Sequence, residues 1–226
     1  MKKFSILLTV FILLTVSVSV FADYSDNFSS PDYLQNGWNP FIYLGNPNGN
    51  YFVPERNRLS LHIPAVDTYI YMPNENTFSS DSVVEATFEN AFSTHSSVAL
   101  ICRWHDYGWY EFRVWTSGDE AGSYAIYKFD DYLKSQNKQP FVVLHRGLDR
   151  INSYDIKLGI NSRNTMKMQC EGDTIRVFIN GNEQFPFQGG IITDSDFTDG
   201  LSGVAVQNYR EGAAQIDVLN FNMSTN

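Results

Sequence analysis

Positive charge is scarce in this chain: 16 Lys and Arg stand against 25 Asp and Glu in 226 residues, a net charge of −9. Nucleic acid and anionic lipid surfaces both need a basic footprint, so neither is an expected partner. Long apolar runs are also missing, with one exception at the start. Phe4 to Phe21 carries no charge, follows Lys2 and Lys3, and leads into Val20-Phe21-Ala22, a small-x-small cleavage pattern. Residues 1–22 therefore read as a secretory signal, and residues 23–226 as the exported domain, periplasmic or secreted. Without the two lysines that domain holds 14 basic and 25 acidic residues, a net charge of −11. No later stretch approaches 18 apolar residues, so no membrane span is expected after cleavage. No cysteine stands between Val20 and Asp23 to be lipidated.

Metal and catalytic patterns are equally sparse. The four histidines, His62, His95, His105 and His145, show no ligand spacing. No Gly-x-Ser-x-Gly elbow and no phosphate-binding loop occur. Cysteine is limited to Cys102 and Cys170, with only His105 near either, too few ligands for zinc. An even count in an exported chain fits one disulfide, and two buried free thiols are the alternative.

Helical periodicity is nearly absent, and short β-rich runs broken by Gly, Asn, Asp and Ser take its place. Ser82 to Phe88 alternates, with Val84, Ala86 and Phe88 on one face. Val98 to Trp104, Trp109 to Trp115 and Ser123 to Phe129 read as a three-stranded meander. Asp130 to Gln139 reads as a polar loop. Asn164 to Cys170 and Thr174 to Asn180 form a hairpin, and Asn180-Gly181 is a type I′ turn signal. About twelve short strands with no composition shift describe one all-β domain, a sandwich or barrel.

An ordered series of residues runs through the chain. It starts at Asp26, Phe28 and Trp38, continues through Cys102-Arg103-Trp104, Asp106 and Trp109-Tyr110-Glu111-Phe112, and then Tyr124 to Tyr127. Asn164, Cys170, Gly172-Asp173 and Asn180-Gly181 follow, and Asp196-Phe197, Gly200, Gly203-Val204 and Asp217 complete it. The series resembles the concanavalin A-like, laminin-G-like jelly rolls of exported bacterial proteins, relatives of the 3-keto-disaccharide hydrolase domain and of some carbohydrate-binding modules. The resemblance implies a two-sheet antiparallel jelly-roll β-sandwich. It implies that Cys102 and Cys170 lie on neighbouring strands and are bonded. It also implies a structural calcium site near the chain ends, with Asp26 and Asp217 as its candidates; calcium wants six to eight oxygen ligands.

Strand alternation then sorts a candidate binding face. Trp109, Glu111, Arg113 and Trp115 oppose Tyr110, Phe112 and Val114. Arg103 falls with Ala99 and Ile101, whereas Trp104 falls with Cys102 in the core. If the strands are neighbours, Glu85, Arg103, Trp109, Glu111, Arg113 and Trp115 share a face, and Tyr124 and Lys128 can join it. Tryptophan buries the apolar faces of sugars, while Arg and Glu bond their hydroxyls. Salt bridging on a solvated sheet is the plain alternative.

Enzymatic signs are weaker. Jelly-roll glycosidases resembling the laminarinase group carry Glu-x-Asp-x-Glu on one strand, which this chain lacks. Glu85 and Glu111 as a catalytic dyad would have arginines close by, unsuited to a general acid. The expected function is a non-catalytic glycan-binding or cell-envelope-associated domain. A glycoside or 3-keto-disaccharide hydrolase is the alternative, and a structural or adhesion protein without a small ligand is the second.

Overall fold

The computed structural model describes residues 23–54, 56–145, 149–185 and 191–225; the expected signal lies outside them. Seventeen strands and one short helix occur among these residues. In chain order they are β1 (Tyr24–Asp26), β2 (Phe41–Leu44), β3 (Tyr51–Pro54), β4 (Leu59–Ile63), β5 (Thr68–Ser79), β6 (Ser82–Phe92), β7 (Ser96–His105), β8 (Gly108–Trp115) and β9 (Ser123–Asp130). Helix α1 (Asp131–Ser135) follows, then β10 (Phe141–Val143), β11 (Ile151–Asn152), β12 (Arg163–Glu171), β13 (Thr174–Ile179), β14 (Asn182–Gln184), β15 (Ile192–Thr193), β16 (Gly200–Asn208) and β17 (Ala214–Ser224). No helix among the described residues is long and apolar enough to cross a membrane.

The strands form two antiparallel sheets, and the chain passes repeatedly between them. One sheet runs β14-β13-β12-β6-β17-β4-β3, with β1 on β17 and β15 on β13. The other runs β10-β9-β8-β7-β16-β5-β2, with β11 on β9. Each sheet turns one alternating set inward. Val84, Ala86, Phe88, Met166 and Met168 from the first meet Val98, Leu100, Phe112, Val114 and Ile126 from the second in one buried core. At roughly 1.5–3 kcal/mol per fully buried large aliphatic or aromatic side chain, this layer is the main drive to fold.

The meander appears where alternation placed it, as β7, β8 and β9, with Val98 opposite Val114 and Phe112 opposite Ile126. The Asn180-Gly181 turn joins β13 to β14 with positive φ at both residues, 51° and 87°, the type I′ requirement. The expected loop at 130–139 instead opens with helix α1. Asp130 caps it, accepting the Tyr132 and Leu133 amides.

Cys102 and Cys170 are bonded, with Cα atoms 6.8 Å apart. They are not on neighbouring strands of one sheet. Cys102 is on β7 and Cys170 on β12, so the bond crosses the core between sheets.

Candidate binding face on the outer side of one sheet

The outward set of β8 is Trp109, Glu111, Arg113 and Trp115, as alternation requires. None of the four is solvated. Glu111 is 0% exposed and Arg113 8% exposed, because a second aromatic layer lies over the sheet. Tyr69 and Tyr71 of β5, Phe129 of β9 and Trp104 of β7 form it. Phe41 and Tyr43 of β2, with Phe141 of β10, close over the top. The edge strands therefore convert an outer sheet face into a small separate core.

Inside that layer the Glu111 carboxylate accepts from four donors. Tyr71 Oη reaches Oε2 at 2.7 Å, Arg113 Nε reaches Oε1 at 2.6 Å and Trp109 Nε1 reaches Oε2 at 3.4 Å; Tyr69 Oη completes the set. Burial, together with the adjacent carboxylate, holds both tyrosine hydroxyls well above the ordinary phenol range. Burial alone would pull the Arg113 guanidinium down, but the Glu111 charge more than offsets it and raises its pKa. A buried carboxylate so fully paired is an organising hub, not a free acid or base.

Two of the expected face residues lie elsewhere. Glu85 is on β6 in the opposite sheet, across from Lys167 and Asn222, so it never approaches Glu111. Arg103 sits in a β-bulge with φ 53°, where pairing jumps from Cys102–Tyr110 to His105–Gly108. Its guanidinium is buried, donating to the Ser80 and Phe197 carbonyls at 3.0 Å and pairing with Asp81 at 3.3 Å. The bulge also inverts the parity beyond it. Trp104, assigned to the core by simple alternation, emerges on the outer face and stacks on Trp109 at 3.9 Å. Gly200 is required opposite the bulge, since a Cβ there would lie 2.6 Å from the Arg103 carbonyl carbon.

Tyr124 and Lys128 do not join this face either. Their register partners, Val114 and Tyr110, point inward, and paired residues share a face. Tyr124 enters the main core, and Lys128 bridges Asp194 at 2.8 Å and Asp196.

Asp26 and Asp217 do not fit a shared calcium site. Asp26 Oδ1 accepts the Phe28 amide at 2.7 Å, and Oδ2 accepts Trp38 Nε1 at 2.9 Å. Asp217 accepts Ser60 Oγ at 2.6 Å and the Arg58 guanidinium at 2.7 Å. Hydrogen-bond donors face both carboxylates where a cation needs oxygens. Asp26 pairs with Phe221, four residues along β17 from Asp217, which at strand rise is a separation of ~13 Å. Among the described residues no cluster of three or more His, Cys, Asp or Glu is arranged to hold a metal.

Where the aromatic layer reaches the sheet end it opens into a cleft of ≈270 Å³. Trp104, Trp109, Phe129, Phe41 and Tyr43 line it, and Asn39, Asp106, Asp131 and Lys134 supply polar groups. Trp109 stands between Trp104 and Phe129, with both rings stacked on it at 3.9 Å, so neither of its faces is open to a ligand. Tyr43 meets Phe129 edge-on at 5.2 Å and carries Lys134 Nζ over its ring at 4.6 Å. Sequence reasoning missed this cleft, because half of its lining comes from β2, α1 and the post-bulge Trp104. The one signal was the dense spacing of aromatics in Phe41 to Tyr43 and Trp104 to Trp109.

No family model matches the chain, and no curated protein matches it in sequence. Solved structures do match its fold. The carbohydrate-binding module CBM66 from Bacillus subtilis aligns with a TM-score of 0.56 at 15% identity, covering 82% of this chain and 95% of that one. A galectin-like-fold protein of unknown function, also from Bacillus subtilis, gives 0.60 at 12%, covering 89% and 94%. The β-glucanase of Bacillus licheniformis gives 0.57 at 11%, covering 90% and 98%. Together with the two facing antiparallel sheets, these likenesses identify the fold of this chain as the concanavalin A-like jelly roll.

Proposed function

We propose that this chain is an exported, non-catalytic domain that binds a glycan or a glycan-bearing component of the cell envelope. The observation that carries the reading is the cleft over Trp104 and Tyr43. It joins apolar aromatic walls to an amide, two carboxylates and an ammonium group in one lining. A sugar presents the same mixture, an apolar face with hydroxyls around it, and cleft sites of this composition are typical of small-ligand binding. The fold is shared with a carbohydrate-binding module and with glycanases, which agrees with the reading.

Catalysis is the less favoured reading. Retaining hydrolysis needs two carboxyl groups ~5–5.5 Å apart. Glu111 is a lone buried carboxylate engaged by four donors, Glu85 is on the other sheet, and the cleft carboxylates Asp106 and Asp131 come from the β7–β8 turn and from α1, not from one strand as in the laminarinase-group pattern.

The test is a glycan-array screen of residues 23–226 beside the Tyr43→Ala and Asp106→Ala variants. Asp106 sits at the cleft away from the Glu111 hub; Tyr43 rests edge-on against Tyr69 and Tyr71, so folding of Tyr43→Ala is checked by thermal melting. Binding lost in both supports the reading; binding to no glycan, or binding unchanged in both, overturns it. Release of reducing sugar, abolished in Asp106→Asn, would move the domain to the hydrolases.

A further inference from the structure

A second cleft opens on the same sheet face, over the far end of β8. It measures ≈310 Å³ and is lined by Arg113, Arg150, Gln139, Tyr127 and Phe141, with Asp149 at its edge. Arg113 is the notable group. Its Nε is spent on Glu111, and its Nη1 reaches Gln207 Oε1 only at 3.5 Å. Its Nη2 is buried and has no partner among the described residues. A buried guanidinium N–H without an acceptor is costly, and Arg113 lines the cleft, so a ligand oxygen that displaces the contacts covering Nη2 would satisfy it. Tyr69, Tyr127 and Phe141 hold the guanidinium in place, their ring centroids 4.4, 5.0 and 5.1 Å from Cζ. The Arg113 donor is thus preorganised, and its own side chain need not be ordered on binding.

We infer that this second cleft takes the carboxylate of an acidic sugar, so that the glycan of the proposed function carries uronic-acid units. The inference rests on that glycan reading and deepens it. A planar guanidinium presents paired N–H groups in the geometry of a carboxylate, which a neutral hydroxyl cannot match. Arg150 brings a second guanidinium and Gln139 an amide to the same cleft. Arg150 also pairs with Glu120 at 3.1 Å, and Asp149 adds one negative charge. Arg113 and Arg150 thus face three carboxylates, Glu111, Glu120 and Asp149, so the cleft selects by directed N–H donors and opposes a densely charged polyanion. The overall charge of the chain is negative, so acid recognition has to come from directed hydrogen-bond donors and not from net charge. Trp109 and Arg113 lie four residues apart on one face of β8, ~13 Å, which leaves room for a short saccharide to span both clefts.

The test is calorimetric titration with a galacturonate trimer, its methyl ester and a neutral galactose trimer. The expected result is roughly ten-fold tighter binding of the free acid than of the ester, the size of one charge-assisted hydrogen bond. That preference should fall in Arg150→Gln and Gln139→Ala, both exposed positions whose folding is checked by thermal melting. Arg113→Lys, which keeps the charge and loses the fork, should lose it too. Equal affinity for acid and ester, or a preference unmoved in all three variants, overturns the inference while leaving the glycan reading intact. Binding of none of the three sugars, with no hit on the array, overturns both.

Discussion

Reducing the Cys102–Cys170 bond should destabilise the domain by an amount the topology fixes. The two cysteines are 68 residues apart and join opposite sheets. In the chain-entropy account, closing a loop of that length removes about 15 cal/mol/K from the unfolded chain, or about 4 kcal/mol at 25 °C. For a domain of this size each kcal/mol moves the melting point by about 2–4 °C, so the shift is about 8–16 °C. Residual compactness of the unfolded chain pulls the value toward the lower end. Both cysteines are 0% exposed, so reductant will not reach the bond in the native state. The protein would be reduced in denaturant, refolded with reductant present, and melted beside the oxidised form by circular dichroism. Comparing reduced with oxidised wild type leaves the packing atoms in place, which Cys102→Ala/Cys170→Ala does not. Melting points within about 2 °C of each other would refute the loop-closure reasoning and leave the cysteines as mere core residues.

Two other perturbations test the polar interior. Glu111→Ala leaves Arg113, Tyr69, Tyr71 and Trp109 without their common acceptor and should cost about 3–5 kcal/mol in urea unfolding. Glu111→Gln keeps an acceptor oxygen and should cost less; equal losses in the two would deny the hub its role. His145 is 3% exposed, and neither ring nitrogen has a partner among the described residues. Burial lowers its pKa below the ordinary 6.5, against the opposing pull of Asp149. Below 6.5 the unfolded chain therefore binds this proton more readily than the folded one. The stability His145 contributes is complete above pH 6.5 and is lost as pH falls through the folded pKa. Urea midpoints measured from pH 7.5 to 5 should decline in the wild type and decline less in His145→Leu; identical profiles would contradict the assignment.

The sequence reading succeeded where structure is local and stopped where it depends on distant partners. Alternation in β6 and β8, the meander and the Asn180-Gly181 turn are each written within a few residues, because pleat and turn chemistry are local. Placing Glu85 beside Glu111 required knowing that β6 pairs with β12 and β17, contacts more than 70 residues away in sequence. The parity of Trp104 turned on one extra residue at Arg103, a bulge no propensity announces. The face itself was read correctly on β8 but not its burial. The aromatics that cover it come from β2, β5 and β10, and only tertiary packing brings them there.

The strands at the centre of each sheet have a consequence for when the molecule can fold. β16 lies between β7 and β5, and β17 lies between β6 and β4, so the last 27 residues or so of the chain supply the middle of both sheets. Until those residues have emerged from the ribosome, each sheet is two halves with nothing between them. A nascent chain of this architecture cannot complete its core before β16 and β17 have been made, and its many long-range pairings make the final closure slow. Under the proposed export that delay is an asset: the polypeptide stays pliable until β17 is through. It also makes the β16–β17 segment a keystone, one strand in each sheet, whose removal should unmake both sheets and not merely fray an edge.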